Sequence, residues 1–137
     1  MKKLSFLLVF AALFTFSCTK EDVVANEASS SLAGEWRWVS STGGIAGTTT
    51  TPTSAGYELK LVLTSDFKFS RYKSAVLEKS GTYQITQAKS IYKAEPVDFI
   101  KFSDGTSLAI MSQTANELSL ADNNYDGFSE VYQRIKK

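Results

Sequence analysis

Beyond Leu32 the chain alternates apolar and polar side chains in short runs broken by turn residues, the pattern of half-buried strands rather than of helices. Glu35–Ser40 carries Trp36 and Trp38 on one face. Tyr57–Thr64 groups Tyr57, Leu59, Leu61 and Leu63, and Ser65-Asp66 turns the chain into Phe67–Tyr72, where Phe67 and Phe69 share a face. Gly81–Thr86 follows with Tyr83 and Ile85 inward. Val97–Phe102 and Thr106–Ser112 flank Ser103-Asp104-Gly105. Asp-Gly between alternating runs signals a hairpin, read here as a type I′ turn with positive φ at both central residues. Glu117–Ala121 and Phe128–Ile135, joined through Asn124-Tyr125-Asp126-Gly127, complete a set of eight strands.

Eight segments in hairpin order predict an all-β fold: a small antiparallel up-and-down barrel, whose closure removes exposed sheet edges. A two-sheet β-sandwich is the structural alternative. An eight-stranded barrel has an interior that side chains fill or that holds one small ligand. One connection is long: Thr42 to Gly56, rich in Gly and Thr and carrying Pro52. Unstructured loops of about fifteen residues are usually functional or disordered. This one reads either as a lid over the barrel mouth or as a plain surface loop.

The start of the chain has a different character. Lys2-Lys3 precede Leu4–Phe16, an almost wholly apolar run of 13 residues, and then Ser17-Cys18. That run falls short of the roughly 20 residues a membrane-spanning helix needs. With its charged start and small residue before the single cysteine of the chain, residues 1–17 read as a lipoprotein signal peptide. Thr15-Phe16-Ser17-Cys18 resembles a bacterial lipobox at the small residue and the Cys, which marks Cys18 as the lipid-attachment residue. Two acyl chains of the palmitate type on Cys18 anchor a protein stably, where one chain binds only reversibly. A plain cleaved secretory peptide is the alternative. Residues 18–31, small and polar with no sustained period, read as a flexible tether, and 32–137 as the domain. The expected location is the cell envelope, on the outer membrane, facing the periplasm or the surface.

Without residues 1–17 the chain has 13 basic and 14 acidic side chains, so nucleic acid is not an expected partner. The membrane, reached through the N-terminal lipid, is the expected partner, and the expected state is a monomer. There is no histidine, which removes His-based acid–base and triad chemistry and the commonest transition-metal ligand. Asp66, Asp104 and Asp126 sit where turns need them, and Glu35 and Glu58 fall on outward positions. No catalytic residue, cofactor or metal site is assigned, and an enzyme is not expected. Asp122, Asn124, Asp126 and Gly127 match the opening of a calcium loop, but position twelve is Gln133. An ordinary Asx-rich turn is the competing reading.

Leu32-Ala33-Gly34-Glu35-Trp36 at the first strand and Tyr132-Gln133-Arg134 on the last resemble the Gly-X-Trp start and terminal-strand Arg of lipocalins. The likeness is closer to the short lipocalin-like domains of bacterial envelope lipoproteins. Leu63–Phe69 and Ser80-Gly81-Thr82-Tyr83 support it. The resemblance implies a barrel in which Trp36 and Arg134 form a structural pair at the closed end, an indole face accepting a guanidinium. It also implies non-catalytic binding of a small apolar or amphipathic molecule in the barrel. Trp38, Tyr57, Leu59, Leu61, Phe67, Phe69, Tyr83 and Phe102 are the candidate ligand-binding residues, since such sites are concave and largely aromatic. A filled core is the other reading of the same set. The alternative function is an envelope protein with a packed barrel whose loops bind a protein or glycan.

Overall fold

A computed structural model describes residues 31–136. Cys18, the signal segment and all of the tether except Ser31 lie outside the described residues. Nine strands form one antiparallel sheet: β1 (Gly34–Gly43), β2 (Thr48–Thr50), β3 (Leu59–Leu63), β4 (Lys68–Lys73), β5 (Val76–Ala88), β6 (Val97–Phe102), β7 (Ser107–Gln113), β8 (Glu117–Ala121) and β9 (Phe128–Arg134). β3 to β9 follow in sequence order, and β1 pairs with both β3 and β9, which closes the sheet into an eight-stranded barrel. The register across the closure runs from Trp36↔Arg134 to Gly43↔Phe128, with an irregularity between Trp38 and Ser40. β2 is additional and pairs only with the end of β1.

Several local expectations are corrected. The long connection is not structureless: Gly44–Gly47 turns β1 into β2, and a one-turn helix, Pro52–Ala55, follows. Thr51 caps that helix by accepting from Ser54 N–H while Ser54 accepts from Thr51 N–H, and Pro52 at its first position needs no donor. Phe67 is not in a strand but in the β3–β4 turn, with φ 60°. Tyr57 precedes β3 instead of belonging to it. The Ser103-Asp104-Gly105 hairpin is not type I′, because only Gly105 has positive φ (91°). Phe102 instead pairs with Thr106 around a three-residue loop in which Gly105 N–H donates to Phe102 O. The true double positive-φ turn is Ser74-Ala75 (45° and 69°), which adds Val76–Ser80 to the front of β5. Ser31 belongs to the fold: its carbonyl and hydroxyl accept from Arg134 and Gln113.

One core fills the barrel. Trp36, Trp38, Leu61, Leu63, Phe69, Tyr83, Ile100, Phe102, Leu108, Leu118, Leu120 and Tyr132 are buried in a single cluster, together with Leu32 from below β1. A second, smaller cluster lies outside the wall, where Val97, Phe99 and Ala109 point away from Ile100 and Leu108. The 89–96 connection forms a strap tied to the start of the β8–β9 turn. Asn123 donates to Lys89 O and accepts from Ile91 N–H, and the Tyr92 hydroxyl donates to Asp122 O.

Candidate functional site

One end of the barrel is sealed. The Arg134 guanidinium lies 4.0 Å from the Trp36 ring centroid. Its Nε donates to Ala115 O (2.6 Å), Nη1 to Ala33 O (2.6 Å) and Nη2 to Ser31 O (2.8 Å), so each nitrogen of the fork holds a backbone carbonyl. Trp36 Nε1 donates to Leu32 O at 2.8 Å. Gly34 has φ 153°, and a Cβ there would collide with Arg134 Nη1, which explains the Gly of Gly-X-Trp. Trp36 and Arg134, singled out from sequence as a pair, therefore meet and tie 31–33 under the barrel floor.

The eight candidate ligand-binding residues are brought together, and they touch one another. Trp38, Leu61, Phe69, Tyr83 and Phe102 are buried, with Tyr57, Leu59 and Phe67 packed against them. Phe69 and Phe102 meet edge-on at 4.8 Å, Phe67 and Tyr83 at 5.5 Å, and Trp38 stacks on Tyr57 at 6.0 Å and 16°. This is the geometry of a core.

Toward the opposite end the interior turns polar. Arg71, two residues past Phe69 on the same face of β4, lies 4.2 Å over the Phe102 ring and donates to Asp104 Oδ2 at 2.9 Å. Lys79 reaches the same oxygen at 3.4 Å. These ion pairs bridge β4 and the front of β5 to the β6–β7 hairpin, above the level where β5 pairs with β6. Burial pushes the Asp104 carboxyl up, but the Thr106 donors, Arg71 and Lys79 outweigh it and hold the group below the usual carboxylate range. Tyr132 donates to Glu130 at 2.8 Å, and burial, with Glu130 beside it, raises the phenol well above its ordinary value. Arg71 was not singled out from sequence. The signal was there: strict alternation from Phe69 places it on the inward face.

The end away from Trp36 and Arg134 is a rim of turns bearing apolar side chains. Ile45 is 95% exposed, Tyr125 92%, Val76 67%, Leu77 51% and Phe128 45%. Ile45 and Phe128 share a corner, since a Cβ on Gly44 would lie 3.6 Å from Phe128 Cζ. From Trp38 through Tyr57 the chain has no charged residue. Beside this lobe an open cleft of about 430 Å³ is lined by Pro52, Thr53, Gly56, Tyr57, Glu58 and Ser74.

The 122–127 loop is used internally. Asp122 Oδ2 accepts from Phe128 N–H, Asn123 holds the 89–92 backbone, and Gly127 N–H donates to Asn124 O. Among the described residues no three His, Cys, Asp or Glu side chains gather into a metal-holding group, and no helix is long and apolar enough to cross a membrane. Comparison with protein-family models, curated proteins and solved structures finds no match.

Proposed function

We propose that this chain is a non-catalytic binding domain tethered at the cell envelope through lipid on Cys18. In this reading the barrel is a packed post, and recognition takes place at the rim opposite the Trp36–Arg134 seal. The observation that carries it is the placement of exposed apolar side chains. Of the large hydrophobic residues exposed among the described residues, Ile45, Val76, Leu77, Tyr125 and Phe128 belong to the rim, while Ile91 and Tyr92 lie on the 89–96 connection and Ile135 follows β9. Contiguous exposed apolar groups mark interaction surfaces, and Ile45 and Phe128 share one corner of the rim. Lys2-Lys3, the apolar run Leu4–Phe16 and Ser17-Cys18 support the tether.

The test is site-specific photo-crosslinking in native membranes, with the probe placed at Ile45 or Tyr125 on the rim and at Asn116 near the seal. Adducts from the rim positions alone support the reading. Adducts from Asn116 alone, or from neither end, contradict it.

Binding of an apolar or amphipathic molecule within the barrel is the second reading. It is favoured by Arg71, Glu130 and Tyr132, polar groups on the inward faces of β4 and β9 that a purely structural core does not need.

A further inference from the structure

We propose that the cleft between the Pro52–Ala55 turn and the Ser74-Ala75 turn is a saccharide subsite of the rim. This inference rests on the rim reading and gives it a ligand class. The cleft, at about 430 Å³, is at the lower end of the range of small-molecule sites. Its chemistry is mostly that of uncommitted polar groups. The Glu58 carboxylate and the hydroxyls of Thr53, Tyr57 and Ser74 line it or border it, and none makes a side-chain hydrogen bond or ion pair. The hydroxyls beside Thr53 in sequence are in use: Thr51 and Ser54 bond each other's backbone. A carboxylate only accepts, so the ligand must bring donors, and hydroxyls both give and take. Adjacent hydroxyls of a sugar ring present two donors to the two oxygens of one carboxylate.

Charge narrows the class. A carboxylate in the lining disfavours an anion. The Lys73 ammonium, 4.1 Å over the Tyr57 ring, stands beside the cleft and disfavours a cation. A neutral polyol satisfies both. Lys73 is exposed and has no ion pair, so a sugar C–H face can displace it from the ring.

The cleft is also held rigid, which lowers the ordering cost of binding. Tyr57 is stacked on Trp38, whose Nε1 donates to Ser41 Oγ at 2.9 Å. Gly56 takes a left-handed φ of 74° and donates to Pro52 O at 2.9 Å. Ser74 N–H donates to Glu58 O at 2.8 Å, which fixes the two sides of the cleft to each other. Ser74 holds its positive φ without being glycine, a strained conformation of the kind that clusters at functional sites.

The test is saturation-transfer NMR on the full chain in amine-oxide micelles, with N,N′-diacetylchitobiose, cellobiose and maltose as probes. At least one sugar should receive saturation. Glu58→Ala should weaken its binding at least tenfold, roughly the loss of one charge-assisted hydrogen bond pair. Glu58 holds nothing through its side chain, so the variant keeps its fold. Asn116→Ser, at the sealed end of the barrel, should leave the transfer unchanged. Absence of transfer to all three sugars overturns the inference, as does transfer that Glu58→Ala leaves intact. Either result alongside rim crosslinks removes the saccharide alone, whereas crosslinks at Asn116 remove the rim reading itself.

Discussion

Arg134, on the last strand, sits over the ring of Trp36, on the first, with 4.0 Å between Cζ and the ring centroid. The two are register partners across the seam that closes the barrel. One arginine thus joins three things: the seam, the 31–33 segment and the β7–β8 turn carrying Ala115. Trp36→Ala should cost about 3–5 kcal/mol, as for a buried large aromatic. Arg134→Ala should cost about 2–4 kcal/mol, because three carbonyls lose a charged donor. Denaturant unfolding of the double variant should show about 1–2 kcal/mol of coupling. Strictly additive losses would mean the pair does not act as a unit. Arg134→Lys should fall between, since an ammonium cannot reproduce the fork.

The Ser74-Ala75 turn offers a gain. Ala75 sits at φ 69°, where a Cβ is unfavourable and glycine is not. Ala75→Gly should stabilise the domain by about 0.5–1 kcal/mol, the relief of strain exceeding the added freedom of the unfolded chain. Thermal unfolding reads this directly. An unchanged or lowered midpoint would show that the turn carries no strain.

How far the chain could be read without a structure follows from these same residues. Alternation placed Trp36, Leu61, Leu63, Phe69 and Tyr83 inward because one face of each strand meets the core. Gly34, Trp36 and Arg134 were singled out only through the resemblance of their motifs, and folding gives each a geometric duty at the seal. The first half of β5 was hidden because Ser74-Ala75 is not a turn dipeptide by composition, only by conformation. The one-turn helix was spelled out as Thr51-Pro52-x-Ser54, but a four-residue element has no periodicity to show. The outer cluster was masked for another reason. Val97, Phe99 and Ala109 share strands with the inward Ile100, Phe102 and Leu108, and apolar residues on both faces do not say what covers the outer one. The cleft brings together residues on both sides of β3 and β4, and only folding makes them neighbours.

The strap formed by the 89–96 connection depends on Asn123. Its side chain makes two hydrogen bonds to the 89–92 backbone. Asn123→Ala should speed amide exchange at Ile91 by about tenfold, in line with local opening made easier by about 1–2 kcal/mol. Exchange at Ile100, inside the β5–β6 ladder, should not change. Equal exchange at Ile91 in both proteins would show that the side chain does not hold the strap.

Asp104 sets part of the acid response. Its carboxyl is held below the ordinary range by Thr106, Arg71 and Lys79 against the opposing effect of burial. A group lowered in the folded state stabilises above its unfolded value of about 3.9 and loses that contribution as pH falls through the folded value. Asp104→Asn should therefore be less stable than the parent at neutral pH, with the gap closing below about pH 4. Urea unfolding at a series of pH values measures it. A gap independent of pH would show that Asp104 acts through shape and not charge.

If the barrel interior is a packed core and recognition lies outside it, no small molecule should travel inside the protein. Native mass spectrometry of the chain extracted from its own membrane tests this most directly. The expected mass is that of the acylated polypeptide with no small molecule retained. A stoichiometric small molecule that is lost in Phe69→Ala while the protein remains folded would contradict it.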